Sequence, residues 1–179
     1  DELLQSLSLL DRNIIDVLLV HDAWKVQSDK IEYYTKWLDE IKNNKLVKKV
    51  GLSIYDEEDI VGFDLKSLDI IQVPLSVYDQ RLVRSGFFER ARSCGVEIHA
   101  RSIFLQGLIL SNVKNLPVFT KQSIIKHHQK FIELAKMVGA TQMDLAIQYI
   151  KSTKVDLELN ELIKKKNDLP NLKSRYELI

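Results

Sequence analysis

Four short apolar runs constrain this chain more than any other feature. They occupy residues 14–20, 47–53, 68–73 and 96–101. Each is rich in Val, Ile or Leu and bounded by turn or charged residues, which is the pattern of strands. The first and third are nearly all apolar, which predicts a sheet covered on both faces. Amphipathic stretches lie between them. Residues 31–44 place Tyr34, Trp37, Leu38 and Ile41 at helical spacing, and residues 56–59 read as the acidic first turn of a short helix. The spacing of Val83, Phe87, Phe88 and Ala91 predicts one helix over 82–94, stopped by Gly95. A longer helix over 124–138 ends at Gly139, and Thr141 caps another. Strand alternating with helix predicts right-handed βαβ units and a parallel sheet. Such a sheet closes as a doubly wound layer or as a (β/α)₈ barrel. No glycine-rich nucleotide fingerprint is present, which weakens the doubly wound nucleotide-binding options.

Composition narrows the classes. Of 179 residues, 45% are hydrophobic and 28% charged, a globular rather than disordered balance. Lys and Arg number 26 against 25 Asp and Glu, so no long-range field toward nucleic acid or membrane is expected. No apolar run approaches the roughly 20 residues of a membrane span. Cys94 is the one cysteine, so no intrachain disulfide forms, and a reducing, cytoplasmic setting is expected. The whole of 1–179 reads as a single domain.

Each run stops at a polar group where the chain leaves the sheet. The first ends in His21-Asp22, the second in Ser53, the third in Gln72 and the fourth in Arg101-Ser102. In parallel α/β folds the loops converge at the carboxyl ends of the strands, and sites are built there. Helix capping accounts for a Ser or Asp at such a place, but not for Gln72 or Arg101. His127-His128 lies within a predicted helix, where neighbours do not share a face, so no metal site is proposed. Cys94 reads as a packing thiol, and His99 as a strand residue with a structural role.

The segments DVLLVHD (16–22), VKKVGLSIYD (47–56), DIIQVP (69–74), VEIHARSIFLQGLIL (96–110) and GATQMDLAIQYI (139–150) together resemble the aldo-keto reductase family. RSIFLQG after IHA, and DQR after the third run, further resemble a bacterial subgroup of it. The fold implied is a (β/α)₈ TIM barrel of about 250 residues or more. By resemblance the first run falls at the fourth strand. Three βα units are then expected before residue 1. The eighth strand and its phosphate-gripping loop are expected to be missing near Val155-Asp156, where a helical pattern from Leu157 follows at once.

The family transfers a hydride between a nicotinamide cofactor and a carbonyl or alcohol. By resemblance His21 is the residue that hydrogen-bonds the carbonyl oxygen; the family's Tyr, Lys and Asp are expected upstream of residue 1. Ser53 and Gln72 match positions that hold the nicotinamide carboxamide. Arg101 stands where many relatives place an aromatic ring against the nicotinamide, and a guanidinium also stacks on a π-face. Ser102, Phe104, Gln106 and Gly107 match the stretch that wraps the pyrophosphate. Asp22, Trp24 and Tyr55 are substrate-pocket candidates. Ile54 departs from the family, which often has Asn there. The resemblance implies NADP(H) ahead of NAD(H), a small aldehyde, ketone or sugar-like substrate, and a monomer or small homo-oligomer. A non-catalytic nicotinamide-binding regulatory or sensor subunit is the alternative, and a different barrel enzyme acting on phosphorylated substrates is a third reading.

Overall fold

A computed structural model describes residues 2–155; the expected helical pattern from Leu157 lies outside the described residues. The elements run α1 (Glu2–Leu9), β1 (Ile15–Val20), α2 (Ile31–Asn43), β2 (Val47–Ser53), β3 (Ile70–Pro74), α3 (Arg81–Arg84), α4 (Phe87–Ser93), β4 (Glu97–Arg101), α5 (Gln122–Met137) and α6 (Gln142–Ser152). The strands form one sheet in the order β1-β2-β3-β4, and the β1–β2 and β2–β3 pairings are parallel. Sequential neighbours in a parallel sheet require a crossover between each pair, and helices or short 3₁₀ turns supply it.

Two compact units divide the chain. Among the described residues, the first holds 2–73 and Arg81–His99, and the second holds Pro74–Gln80 and 100–155. In the first, Val50, Leu52, Ile70, Ile71 and Val73 are fully buried on β2 and β3, with Leu38 of α2 and Phe87, Phe88 and Ala91 of α4. Burying side chains of this size stabilises by about 2 kcal/mol each. In the second, Ile132 and Ala135 of α5 and Ala146, Ile147 and Ile150 of α6 are buried, and both helices pack on the turns that follow β4.

Two expectations change. The sequence predicts one helix over 82–94, but the chain breaks into α3 and α4 at Gly86, whose φ is +74°. A left-handed residue cannot continue an α-helix; Ser85 turns the chain there, its hydroxyl donating to the Leu82 carbonyl and accepting from the Phe87 N–H. The first run is predicted to be covered on both faces, yet β1 is half-buried along most of its length, because it is the outermost strand of the described sheet. The acidic turn at 56–59 forms as a 3₁₀ turn over Glu57–Ile60, with Asp56 and Asp59 bonding each other's backbone N–H groups.

Charges order the sheet's edges. Asp69 accepts both oxygens' worth of bonds from Lys42 Nζ, at 2.6 and 2.7 Å, and its Oδ2 also takes the Val50 N–H at 2.9 Å. The carboxylate thus ties α2, β2 and the start of β3 together. Gly51 makes the closest approach. A Cβ there would stand 1.9 Å from the Ile70 carbonyl oxygen and 2.8 Å from its carbon, which are backbone atoms that cannot rotate away. Gly51→Ala is expected to lower the unfolding free energy by about 3 kcal/mol, read from the urea midpoint. An unchanged midpoint would contradict the close β2–β3 packing.

Candidate active site

Parallel pairing aligns three polar residues in the first unit. Val20 stands beside Leu52, and Ser53 beside Gln72. His21, directly after Val20, therefore leaves its strand at the level of Ser53 and Gln72. Ser53 is 2% exposed, and its hydroxyl donates to Gln72 Oε1 at 3.2 Å. That contact uses the amide oxygen of the half-buried Gln72; its Nε2 donors make no hydrogen bond with the described residues. Ile54, at the position where the family often has Asn, is fully buried, and its N–H continues the ladder to the Gln72 carbonyl at 2.9 Å. An apolar side chain there fills the core and adds no polar contact.

His21 is exposed, and its Nδ1 lies 3.0 Å from Asp22 Oδ1. A carboxylate only accepts, so Nδ1 carries the hydrogen of this contact. Nε2 then donates only when the ring is an imidazolium. Lys25 bonds the other Asp22 oxygen, and that hydrogen bond, with the charges of Lys25 and His21, holds the Asp22 carboxyl below its ordinary range. Trp24 is exposed, with the Lys25 ammonium 5.0 Å from its ring centre. The turn carrying Trp24 packs on the 3₁₀ turn after β2, beside the exposed Tyr55. Ion pairs from Arg81 to Asp56 and from Arg90 to Glu57 hold that turn in place. The structure thus gathers Asp22, Trp24 and Tyr55 on neighbouring loops of this unit.

In the second unit Arg101 closes β4, half-buried, and its carbonyl accepts the Leu75 N–H at 3.1 Å. Four of the next six residues are left-handed: Ser102 at φ +59°, Leu105 at +45°, Gln106 at +53° and Gly107 at +90°. For the three that are not glycine this costs about 1 kcal/mol or more each, and it persists only where surrounding bonds over-determine the loop. The Leu105 N–H reaches the Ser102 carbonyl, and the Gly107 N–H reaches that of Phe104, both at 2.9 Å. Among the described residues, nothing beyond Gly107 and its two chain neighbours lies within 4 Å of where a Gly107 Cβ would stand, so the described residues leave that side of the backbone uncovered.

His128 is the residue the sequence left without a role. It is fully buried, with Nδ1 at 2.7 Å from the Tyr78 hydroxyl and Nε2 at 2.8 Å from the Ser111 carbonyl. Helical spacing could have flagged it, since His128, Ile132 and Ala135 share the buried face of α5. His99 sits half-buried within β4, 3.7 Å from Glu97 Oε2. Among the described residues no three His, Cys, Asp or Glu side chains are grouped to hold a metal ion, and no described helix is long and apolar enough to cross a membrane.

This parallel α/β architecture matches solved aldo-keto reductase barrels. A glycerol dehydrogenase from Gluconobacter oxydans superposes with a TM-score of 0.69 at 20% identity, over 87% of this chain and 52% of that one. An aldo-keto reductase from Bacillus halodurans in its holo form gives 0.68 at 21%, over 86% and 52%. An aldo/keto reductase from Klebsiella pneumoniae, solved with NADP and acetate, gives 0.61 at 15%, over 82% and 48%. The chain thus spans about half the length of these structures, and at such identities the likeness establishes the fold, α/β with the parallel strands of a (β/α)₈ barrel. None of the curated proteins compared matches it. The model of the aldo/keto reductase family matches residues 1–170. The chain belongs to the aldo/keto reductase family.

Burial pushes the Tyr78 hydroxyl from its ordinary 10.0 up to about 12. The folded protein therefore keeps this proton where the unfolded chain releases it. The stabilisation is complete below about pH 10 and is lost as pH rises through about 12. Tyr78→Phe is expected to flatten the fall of unfolding free energy across that window. Identical slopes in wild type and variant would contradict the burial of the hydroxyl.

Proposed function

We propose that this chain is one partial-barrel domain of an oxidoreductase that passes a hydride between NADP(H), ahead of NAD(H), and a small aldehyde, ketone or sugar-like substrate. The observation that carries the reading is the Ser53–Gln72 pair, aligned across adjacent strands with Ser53 buried. A primary carboxamide needs a donor for its oxygen and an acceptor for its NH₂. Gln72 Nε2 offers the first, and the lone pairs of Ser53 Oγ offer the second. The left-handed run from Ser102, and the face of Gly107 that the described residues leave uncovered, suit an anion held by backbone N–H groups. A nicotinamide dinucleotide, when bound, supplies or accepts the hydride.

The chain's own residues then have defined tasks. Ser53 and Gln72 would orient the carboxamide, and Arg101 offers a planar guanidinium that would stack on the nicotinamide. Ser102, Phe104, Gln106 and Gly107 would hold the pyrophosphate. Hydride addition to a carbonyl carbon places negative charge on its oxygen. His21 would donate Nε2–H to that oxygen whenever its ring, paired through Nδ1 with the Asp22 carboxylate, is an imidazolium. Asp22, Trp24 and Tyr55 border the substrate. The NADP in the Klebsiella structure favours the phosphorylated coenzyme.

The test is to titrate the full-length protein with NADPH and NADH, following quenching of Trp24 and Trp37 fluorescence, and to assay carbonyl reduction. Saturable quenching with turnover is expected. Binding without turnover would replace the enzyme by a nicotinamide-binding subunit, and binding of neither coenzyme would end both. His21→Ala should lower kcat by about 100-fold while NADPH affinity holds. Unchanged turnover would remove the role given to His21.

A further inference from the structure

Within the second unit, the 102–111 loop is fastened from behind by side chains that the proposed chemistry does not use. The Ser111 carbonyl accepts two hydrogen bonds, from His128 Nε2 at 2.8 Å and from Gln142 Nε2 at 3.0 Å. Gln142 Nε2 also donates to the Ile109 carbonyl at 2.6 Å. From the same residue, the Ser111 hydroxyl reaches back and donates to the Gly107 carbonyl at 3.0 Å. The last turn of the left-handed run is thus tied to α5 by His128 and to α6 by Gln142.

The tautomer of His128 follows by elimination. A carbonyl only accepts, so Nε2 carries the ring hydrogen. In the neutral ring Nδ1 then has a lone pair, and the Tyr78 hydroxyl, 2.7 Å away, donates to it. The ring is fully buried, stacked on Phe131 and set edge-on to Tyr78. Both of its nitrogens are satisfied in one tautomer, and a buried ring in the other tautomer would leave two acceptors facing each other at Ser111. Tyr78 therefore fixes the hydrogen that His128 presents to the loop. A strained backbone of this kind holds its shape only where its neighbours fix it, and these three side chains supply fixed donors.

We propose that Tyr78, His128 and Gln142 are positioning residues that preset the 102–111 loop for the pyrophosphate of a dinucleotide. The proposal rests on the reading of that loop as the pyrophosphate cradle. Pre-organisation of a loop raises affinity by removing the cost of ordering it at the moment of binding. Its signature is a change in coenzyme affinity, with little change in the chemical step.

The test uses full-length His128→Phe, Gln142→Leu and the conservative His128→Gln, whose amide can both donate to Ser111 and accept from Tyr78. Amide hydrogen exchange in the ligand-free protein is expected to speed up about tenfold over 102–111 in the first two variants, with β1, β2 and β3 unchanged. The dissociation constant for ADP-ribose, which carries the pyrophosphate without nicotinamide, should rise about tenfold, as should the coenzyme KM, with kcat within about twofold. His128→Gln should restore most of both. Unchanged exchange over 102–111 would overturn the proposal, as would faster exchange with unchanged ADP-ribose affinity. Should His128→Phe lose protection throughout, Tyr78→Phe, which removes one hydroxyl, is expected to show the same pair of changes at smaller size, and their absence there would overturn it equally. If the wild type binds neither NADPH nor ADP-ribose, the functional reading falls on its own, and the exchange data still decide whether these side chains hold the loop.

Discussion

Parallel pairing fixes the level at which each strand of this sheet gives way to loop. Val20 stands beside Leu52, and Ser53 beside Gln72, so a shift of one residue between β2 and β3 would part the serine from the glutamine and turn one of them to the opposite face, and a shift between β1 and β2 would move His21 from their level. The register itself is held by contacts deep in the first unit. Gly51 lets the β2 backbone close on Ile70, and Asp69 bonds Lys42 and the Val50 N–H together. Both lie two or three residues from the polar strand ends. The chemistry assigned to those ends therefore depends on a packing constraint that involves none of the reacting groups.

The second unit meets a different physical demand. Its loop after β4 carries three non-glycine residues in the left-handed region, a conformation that local sequence preference opposes. Long-range hydrogen bonds hold it. Ser111 is bonded by residues 17 and 31 positions further along the chain, and helices α5 and α6 form first-order supports through their own buried faces and the Thr141–Asp144 capping box. Strain in the loop and order in the helices are two sides of one arrangement.

Much of the fold was legible in the residues. The runs at 14–20 and 47–53 became β1 and β2 with at most one residue's difference, and Thr141 caps α6 as its position implied. These features are local: hydrophobic period and cap chemistry lie within a few neighbouring residues. The break at Gly86 was written in the sequence but outweighed by the regular spacing of Val83, Phe87, Phe88 and Ala91. The polar strand ends were legible because a Gln or His at the end of an apolar run conflicts with its surroundings. The role of His128 was not, since its partners Tyr78 and Ser111 stand 50 and 17 residues away and no pattern in the chain links them. Nor could Ser102, Leu105 and Gln106 be recognised as left-handed, because nothing in their side chains demands it.

The central claim is that Ser53 and Gln72 recognise a carboxamide, and a double-mutant cycle on the full-length protein reaches it most directly. Ser53→Ala, Gln72→Leu and the pair would be compared for affinity toward NADPH and toward ADP-ribose, which lacks the nicotinamide. The account predicts that each single change weakens NADPH binding about tenfold, that the double change adds little to the worse single one, and that ADP-ribose binding stays as it was. Equal losses for both ligands, or NADPH binding untouched by either change, would contradict it.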